Sequence, residues 1–176
     1  YHITGELQGF LYASYLGLNS KGVDSIIRNG METGYYKNGN IEYVLSYLDD
    51  NAEGLKFDYY ESGNLYAVYN YLSNLKQGIT TVYYESGALE MTVYYKDDLL
   101  DGLVTNYYES GEDKIQSTLN YVNGLAQGIN IGYYESGEKE FERNYVDGKI
   151  NGLSTTYYES GKIKRTNNYV DDLLDG

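Results

Sequence analysis

The pentapeptide Tyr-Tyr-Glu-Ser-Gly stands at Tyr59–Gly63 and recurs along the chain. The other copies lie at Tyr83–Gly87, Tyr107–Gly111, Tyr133–Gly137 and Tyr157–Gly161, and a looser copy, YYKNG, lies at Tyr35–Gly39. Successive copies are 24, 24, 24, 26 and 24 residues apart. Self-similarity at a fixed period of this size is typical of stacked repeats. The sequence therefore predicts a repeat array and not a globular domain with one centre.

Alternating side chains flank the pentapeptide and predict a β-hairpin in each unit. In residues 54–77, Leu55 and Phe57 alternate with Lys56 and Asp58, which is typical of a half-buried strand. A second alternating run, LYAVYNY, follows Gly63. Glycine in the loop suits a three-residue hairpin connection, which needs a positive φ.

The loop length predicts the register of the hairpin. If Tyr60 faces Asn64 across three loop residues, then Tyr59 pairs with Leu65, Phe57 with Ala67 and Leu55 with Tyr69. This register places the apolar side chains of both strands on one face, because one step of register moves every side chain to the other face. The steps between copies are all even, so each hairpin should repeat this facing. The two extra residues near Glu112 and Asp113 should lengthen one hairpin without inverting it.

Two columns of apolar side chains recur in every unit, and we expect both in the core. The aliphatic column is Met31, Leu55, Ile79, Leu103, Ile129 and Leu153, and the tyrosine column is Tyr35, Tyr59, Tyr83, Tyr107, Tyr133 and Tyr157. One hairpin buries too little apolar surface to offset the entropy of ordering it, so stability should belong to the array. The predicted fold is all-β: an elongated, single-layer, twisted antiparallel sheet of stacked hairpins.

The predicted domain organisation has two parts. Residues 1–29 fit the period poorly and are read as a degenerate repeat or cap, or alternatively as a distinct contact surface around Phe10, Leu11, Tyr12, Tyr15 and Leu16. Six hairpin repeats follow, at about 30–53, 54–77, 78–101, 102–127, 128–151 and 152–175. The chain starts at Tyr1 and not at Met, and its last residue, Gly176, is the glycine that elsewhere opens a repeat, so we expect the chain to be part of a longer protein in which the array continues.

The pattern of glycine, four residues, YYESG, about eight residues and Tyr resembles the bacterial variant of the MORN repeat over residues 30–176. The resemblance implies a scaffold for interaction or oligomerisation. Bacterial proteins with this repeat are often described as antitoxin or immunity components, and some are associated with the cell surface and host contact. The parent repeat also occurs as an accessory module of enzymes. Membrane binding in that family needs a basic surface, which this acidic chain does not offer.

Composition excludes several functional classes. The formal net charge is −13 and the isoelectric point is about 4.3, which argues against nucleic acid and against an anionic membrane surface. Cysteine is absent, so there is no disulfide framework and no thiolate metal site. His2 is the only histidine, so no Ser-His or Cys-His relay can form, and we predict neither an enzyme nor a cofactor.

Acidic residues supply the weak candidates for chemistry. Asp97, Asp98 and Asp101 offer oxygen ligands of the type that calcium prefers, although their spacing is not that of an EF-hand and turn formation explains them equally. The glutamates of the pentapeptide repeat at a single turn position and are interpreted as solvated: Glu61, Glu85, Glu109, Glu135 and Glu159.

The second tyrosine of each copy forms the candidate binding site, here called the tyrosine ladder: Tyr36, Tyr60, Tyr84, Tyr108, Tyr134 and Tyr158. It lies on the more polar face of the predicted hairpin. Tyrosine offers a large contact area at low entropic cost, which suits the recognition of proteins or glycans. Cross-strand packing within the sheet is the structural alternative.

The leading hypothesis is a non-enzymatic scaffold that binds a protein partner or a host-surface molecule, as part of a bacterial surface or secreted protein. The first alternative is an antitoxin or immunity protein acting in the cytoplasm. A further alternative is an accessory module of a larger enzyme. Homo-oligomerisation through unpaired end strands is also expected of an open sheet.

Overall fold

A computed structural model describes residues 14–18, 24–110 and 113–175. The chain divides into two compact units, unit 1 at Tyr1–Gly87 and unit 2 at Ala88–Gly176. All regular structure in the described residues is β-strand, so the predicted all-β hairpin array is confirmed. The predictions for His2 and for Phe10, Leu11 and Tyr12 concern residues outside the described ranges.

The described part of unit 1 contains eight strands, most of them in one antiparallel sheet. Strand β1 pairs with β2, and strands β3 to β8 follow one another in chain order, with β7 also on the edge of β6. The bounds are β1 Ser14–Leu18, β2 Asp24–Arg28, β3 Gly30–Tyr35, β4 Ile41–Leu48, β5 Asn51–Tyr59, β6 Leu65–Leu72, β7 Leu75–Lys76 and β8 Gly78–Tyr83.

The described part of unit 2 repeats this meander with ten strands. Neighbours in the sheet are again neighbours in the chain, and the short strands β10, β15 and β18 extend the turns. The bounds are β9 Leu89–Lys96, β10 Leu99–Leu100, β11 Gly102–Tyr107, β12 Ile115–Val122, β13 Leu125–Tyr133, β14 Lys139–Val146, β15 Lys149–Ile150, β16 Gly152–Tyr157, β17 Ile163–Val170 and β18 Leu173–Leu174.

Two kinds of tight turn alternate along the chain. In the pentapeptide loop, the Tyr60 N–H donates to the Asn64 carbonyl at 2.8 Å, and Gly63 has a φ of +95°, as the three-residue loop requires. The return turn between β6 and β7 contains only Ser73 and Asn74, with φ values of +50° and +71°. Positive φ at both residues is the mark of a type I′ turn, and Asn, Asp and Gly tolerate it best.

The hairpin register departs from the prediction after its first pair. Tyr59 pairs with Leu65 as expected, but Phe57 then pairs with Val68 instead of Ala67. Tyr66 is an extra residue opposite β5, so the hairpin contains a β-bulge. The same shift occurs in every other hairpin whose pairing is described, at Gly34/Tyr35, Asn106/Tyr107, Gly132/Tyr133 and Thr156/Tyr157. The predicted pairs Phe57 with Ala67 and Leu55 with Tyr69 are therefore wrong.

The bulge divides the side chains of each hairpin between two faces. Leu55, Phe57 and Tyr59 share one face, as predicted, and we call it the exposed face. Ala67 and Tyr69 lie on the opposite face with Asp58 and Lys56, because residues paired across a ladder point to the same side. We call this the buried face, since it holds most of the well-buried side chains: Leu45, Ala52, Ala67, Thr80 and Val82 in unit 1, and Val93, Val104, Ala126, Asn130 and Ser154 in unit 2.

The longer hairpin of unit 2 keeps this arrangement. Tyr107 pairs with Ile115, two residues further along the chain than in the other hairpins, and Asn106 still pairs with Ser117 on the buried face. The prediction that the insertion lengthens the loop without inverting the facing is confirmed, because two extra residues preserve parity.

Aromatic rings and cationic side chains cover the small residues of the buried face. The Tyr43 ring lies over Gly34 and the Phe141 ring over Gly132, where a Cβ would collide with each ring. Lys56 Nζ lies 5.5 Å from the ring centroids of Tyr43 and Tyr69. Its aliphatic stem thus packs on apolar surface while the ammonium contacts the ring faces. A sheet without a second layer obtains its core in this way.

Candidate functional site

The tyrosine ladder joins successive repeats by hydrogen bonds. Four of its hydroxyls, those of Tyr36, Tyr60, Tyr108 and Tyr134, donate to the backbone carbonyl of the tyrosine that ends the first strand of the next hairpin. The distances are 2.6 Å from Tyr36 to Tyr59, 2.8 Å from Tyr60 to Tyr83, 2.6 Å from Tyr108 to Tyr133 and 2.8 Å from Tyr134 to Tyr157. The bond accounts for tyrosine here, because phenylalanine fills the same space but has no donor.

The rings of the ladder are half-buried, apart from Tyr158, which is 52% exposed. Tyr84 occupies the equivalent position in the third repeat and is also half-buried. Burial raises the pKa of Tyr36, with a further contribution from Glu42, Asp58 and Glu61. Burial likewise raises the pKa of Tyr108, beside Glu140, Glu135 and Glu159. The Tyr36 and Tyr108 hydroxyls therefore stay protonated and serve as donors. A direct role of the tyrosine ladder in binding a partner stays a prediction.

The proposed calcium ligands lie in a return turn. Asp97 and Asp98 have φ values of +50° and +65°, so they are the two central residues of a type I′ turn. In equivalent turns the second residue braces the preceding repeat: Asn74 Oδ1 accepts the Ala52 N–H at 2.7 Å, and Asp172 Oδ1 accepts the Ile150 N–H at 2.7 Å. The positive φ of the turn and the hydrogen bonds to the preceding repeat thus account for Asp or Asn at these positions. No three His, Cys, Asp or Glu residues of the described chain form a group suited to a metal ion, and the set with Asp101 is no exception.

The glutamates of the pentapeptide loops lie at exposed turn positions. In unit 1 the backbone carbonyls of two of them accept hydrogen bonds: Asn40 Nδ2 donates to the Glu61 carbonyl and Asn64 Nδ2 to the Glu85 carbonyl, each at 2.8 Å. The loops are thereby linked to one another by polar side chains on their rims. The interpretation of these glutamates as solvated turn residues agrees with this placement.

The aliphatic column, which we predicted to be core, is exposed. Its members are between 49% and 65% exposed: Met31, Leu55 and Ile79 in unit 1, and Leu103, Ile129 and Leu153 in unit 2. That prediction is wrong because the bulge leaves these residues on the exposed face, where no second layer in the described chain covers them. The column therefore faces solvent.

Further exposed aliphatic side chains border this column at the return turns. Leu72 pairs with Leu75, and Val122 with Leu125, immediately beside the turn residues. The Leu99 side chain lies 3.6 Å from a Cβ position at Gly124, so adjacent turns are in contact within unit 2. In each unit we call this surface the aliphatic belt: Met31, Leu48, Leu55, Leu72, Leu75 and Ile79 in unit 1, and Leu99, Leu103, Val122, Leu125, Ile129, Val146, Leu153, Val170 and Leu173 in unit 2.

Sequence reasoning found the periodic positions of the column but not their exposure. A signal was present, because the last residue of most second strands is also aliphatic, as in Leu72 and Val122, although it lies next to a turn. Apolar residues at turns are a sign of an apolar surface that is not covered within the chain.

The family comparison agrees with this repeat architecture. The family described as "MORN repeat variant" matches residues 28–49, 52–72, 76–97 and 150–171. No curated protein sequence matches the chain. Within the described residues, no helix is long and apolar enough to cross a membrane.

Proposed function

This chain is a member of the MORN repeat family in its variant form, and from that premise we propose that it is a non-enzymatic scaffold whose aliphatic belt binds a protein partner. Repeats of this family generally serve as modules for interaction with proteins or membranes, and they are typically non-catalytic. The belt is the observation that carries the proposal, because each unit presents exposed aliphatic side chains on one face, six in unit 1 and nine in unit 2.

The number and placement of these side chains support a binding role. Single exposed aliphatic residues are normal on protein surfaces, but contiguous apolar patches are rare and mark interaction sites. Within unit 1, Leu72 of β6 and Leu75 of β7 form a cross-strand pair, and Leu55 lies on the same face. Burying such side chains against a partner contributes about 25 cal/mol per Å² of apolar surface.

The charge around the belt indicates the chemistry of the partner. Every described return turn lies at the edge of the belt, and several carry paired aspartates, such as Asp49 with Asp50 and Asp171 with Asp172. These carboxylates are exposed, and the whole chain carries a formal charge of −13. The partner that fits is a protein with an apolar strip flanked by Lys or Arg, because opposite charges at the rim speed association and select against wrong partners.

The test is a capture experiment with variants that differ only at the belt. Ile129→Glu with Leu153→Glu introduces two charges into the belt of unit 2. The matched control is Ile115→Glu with Ile163→Glu, since these residues are also exposed aliphatics on the exposed face but lie at the opposite edge. A protein captured by the wild type is identified, purified and titrated calorimetrically against all three chains.

The proposal expects the purified partner to bind the wild type and the control with similar affinity. The belt variant should bind about 100-fold more weakly, since burying an unpaired carboxylate at an interface costs several kcal/mol. Binding through the belt should also show a negative heat-capacity change. Equal affinity of all three chains would overturn the proposal.

The identity of the captured protein separates the remaining alternatives. A host-surface or envelope protein favours the adhesive role, and a toxin favours the antitoxin role. A second copy of this chain, detected as a concentration-dependent mass, would identify the belt as an oligomerisation surface and would overturn the proposal of a different protein partner.

A further inference from the structure

From a groove on the buried face of unit 2, we propose a second binding site, which takes an acidic peptide segment. The groove has a volume of about 680 Å³ and lies over strands β14, β16 and β17. Three cationic side chains line it, Arg143, Lys164 and Arg165, and no Asp or Glu is among its lining residues. It is on the face opposite the aliphatic belt, so it does not depend on the function proposed above.

The fold brings these cations together from separate strands. Arg165 lies in β17 and pairs with Thr156 of β16, which pairs in turn with Phe141 of β14. Arg143 is two residues beyond Phe141 and therefore points to the same face. Lys164 occupies the bulge position of its hairpin, beside the Tyr158 ring at 5.7 Å.

The three cations of the groove have no ion pair within the described residues. Arg143 stacks on the Phe141 ring at 4.3 Å, and Arg165 Nε donates to Asn167 Oδ1 at 2.9 Å. These contacts orient the guanidinium groups but do not neutralise them. Two cations of unit 1 differ, since Lys56 pairs with Asp58 at 2.8 Å and Arg28 with Asp50 at 3.4 Å.

The spacing of the charges favours an extended acidic segment over a single small anion. The strands of Arg143 and Arg165 are separated by two strand spacings of about 4.8 Å each, and the two residues are offset along the strands by two positions, about 7 Å. Their backbones are therefore about 12 Å apart. In an extended peptide, alternate side chains repeat every 7 Å or so, so two carboxylates on one peptide reach both guanidinium groups. Ser154 and Thr156 of the intervening strand β16 also line the groove, and the Thr156 hydroxyl donates to the Arg165 carbonyl at 3.5 Å.

The test measures binding of two labelled peptides to the full chain by fluorescence anisotropy. One peptide alternates Glu with Ala over ten residues, and the other alternates Gln with Ala. We expect binding of the Glu peptide alone, and weaker binding as salt is raised from about 0.05 M to about 0.5 M, where screening is strong. Arg143→Gln with Arg165→Gln should weaken binding about tenfold, since exposed charge pairs contribute modestly each.

The matched control removes two positive charges from the same unit outside the groove. Lys139→Gln with Lys149→Gln changes the net charge equally, and neither residue lines the groove. This control should change the affinity less than twofold, and circular dichroism should show the same fold for all chains. Equal weakening by both double variants, equal binding of both peptides, or binding of inorganic phosphate with no binding of the Glu peptide would each overturn the proposal.

Discussion

The two faces of the sheet are built from the same strands but differ in how much of their side chains is buried. On the buried face of unit 1, Ala67 is fully buried between its longer cross-strand neighbours Asp58 and Val82. On the exposed face, Leu55 is 49% exposed although it lies on the neighbouring strand. The comparison teaches that side-chain length, and not hydrophobicity alone, decides what a single sheet buries. Small residues are covered by long ones, and aliphatic residues without a cover stay in solvent.

The largest expected effect comes from placing the same charged residue on the two faces. Ala67→Asp buries a carboxylate directly opposite Asp58, so desolvation and like-charge repulsion add. We expect the free energy of unfolding to fall by about 3 kcal/mol or more. The measurement is urea denaturation followed by circular dichroism.

Leu55→Asp is the counterpart on the exposed face. It should cost less than about 1 kcal/mol, because surface substitutions away from special features have small effects. Similar losses for the two variants would contradict the assignment of Ala67 and Leu55 to faces that differ in burial.

A smaller effect is expected at the edge of the buried face, where the tyrosine ladder lies. Tyr134→Phe removes the hydroxyl that donates to the Tyr157 carbonyl at 2.8 Å. The loss should be about 1 kcal/mol, which is typical of one hydrogen bond. Tyr158→Phe is the control, since that ring is 52% exposed and no hydrogen bond of its hydroxyl occurs among the described residues. A cost at Tyr158 equal to that at Tyr134 would show that the ladder bond does not stabilise the array.

The smallest effect is a pH dependence of the buried face at alkaline pH. The Tyr43 hydroxyl donates to Glu32 Oε1 at 2.6 Å, and this bond, together with burial, raises the pKa of Tyr43 to about 12. An unfolded tyrosine has a pKa of about 10. Between these values the folded chain holds a proton that the unfolded chain has lost, so stability should fall as pH rises through the window. Below the lower value the contribution is complete.

Urea denaturation at a series of alkaline pH values checks this sign. Tyr43→Phe should show a shallower loss of stability than the wild type between pH 10 and 12, or thereabouts. Glu32→Gln should act in the same direction, because it removes the charged acceptor. Identical slopes for wild type and Tyr43→Phe would contradict the coupling of Tyr43 to Glu32.

Local rules predicted most of the fold but less of the candidate sites. The three-residue loop at Tyr60–Asn64 and the parity of the insertion before Ile115 follow from loop chemistry and even spacing. The positions of the tyrosine ladder were also predicted from the sequence. The hydrogen bonds from its hydroxyls to carbonyls of the next repeat were not, because they depend on where the neighbouring hairpin lies. The groove around Arg143 was not predicted, because its cations are specific to the last repeats and leave no periodic signal.

The sequence alone determines the period, the hairpins and their turns. It does so because glycine, asparagine and aspartate tolerate the positive φ that the turns need, which is a local property of the backbone. The pairing of whole strands settled which side chains are covered. One extra residue at Tyr66 reverses the facing of Ala67 and Tyr69 relative to Phe57, and a strand's alternation does not reveal such a bulge. Burial then follows from which long side chains reach across to the next strand, which is a property of the assembled sheet.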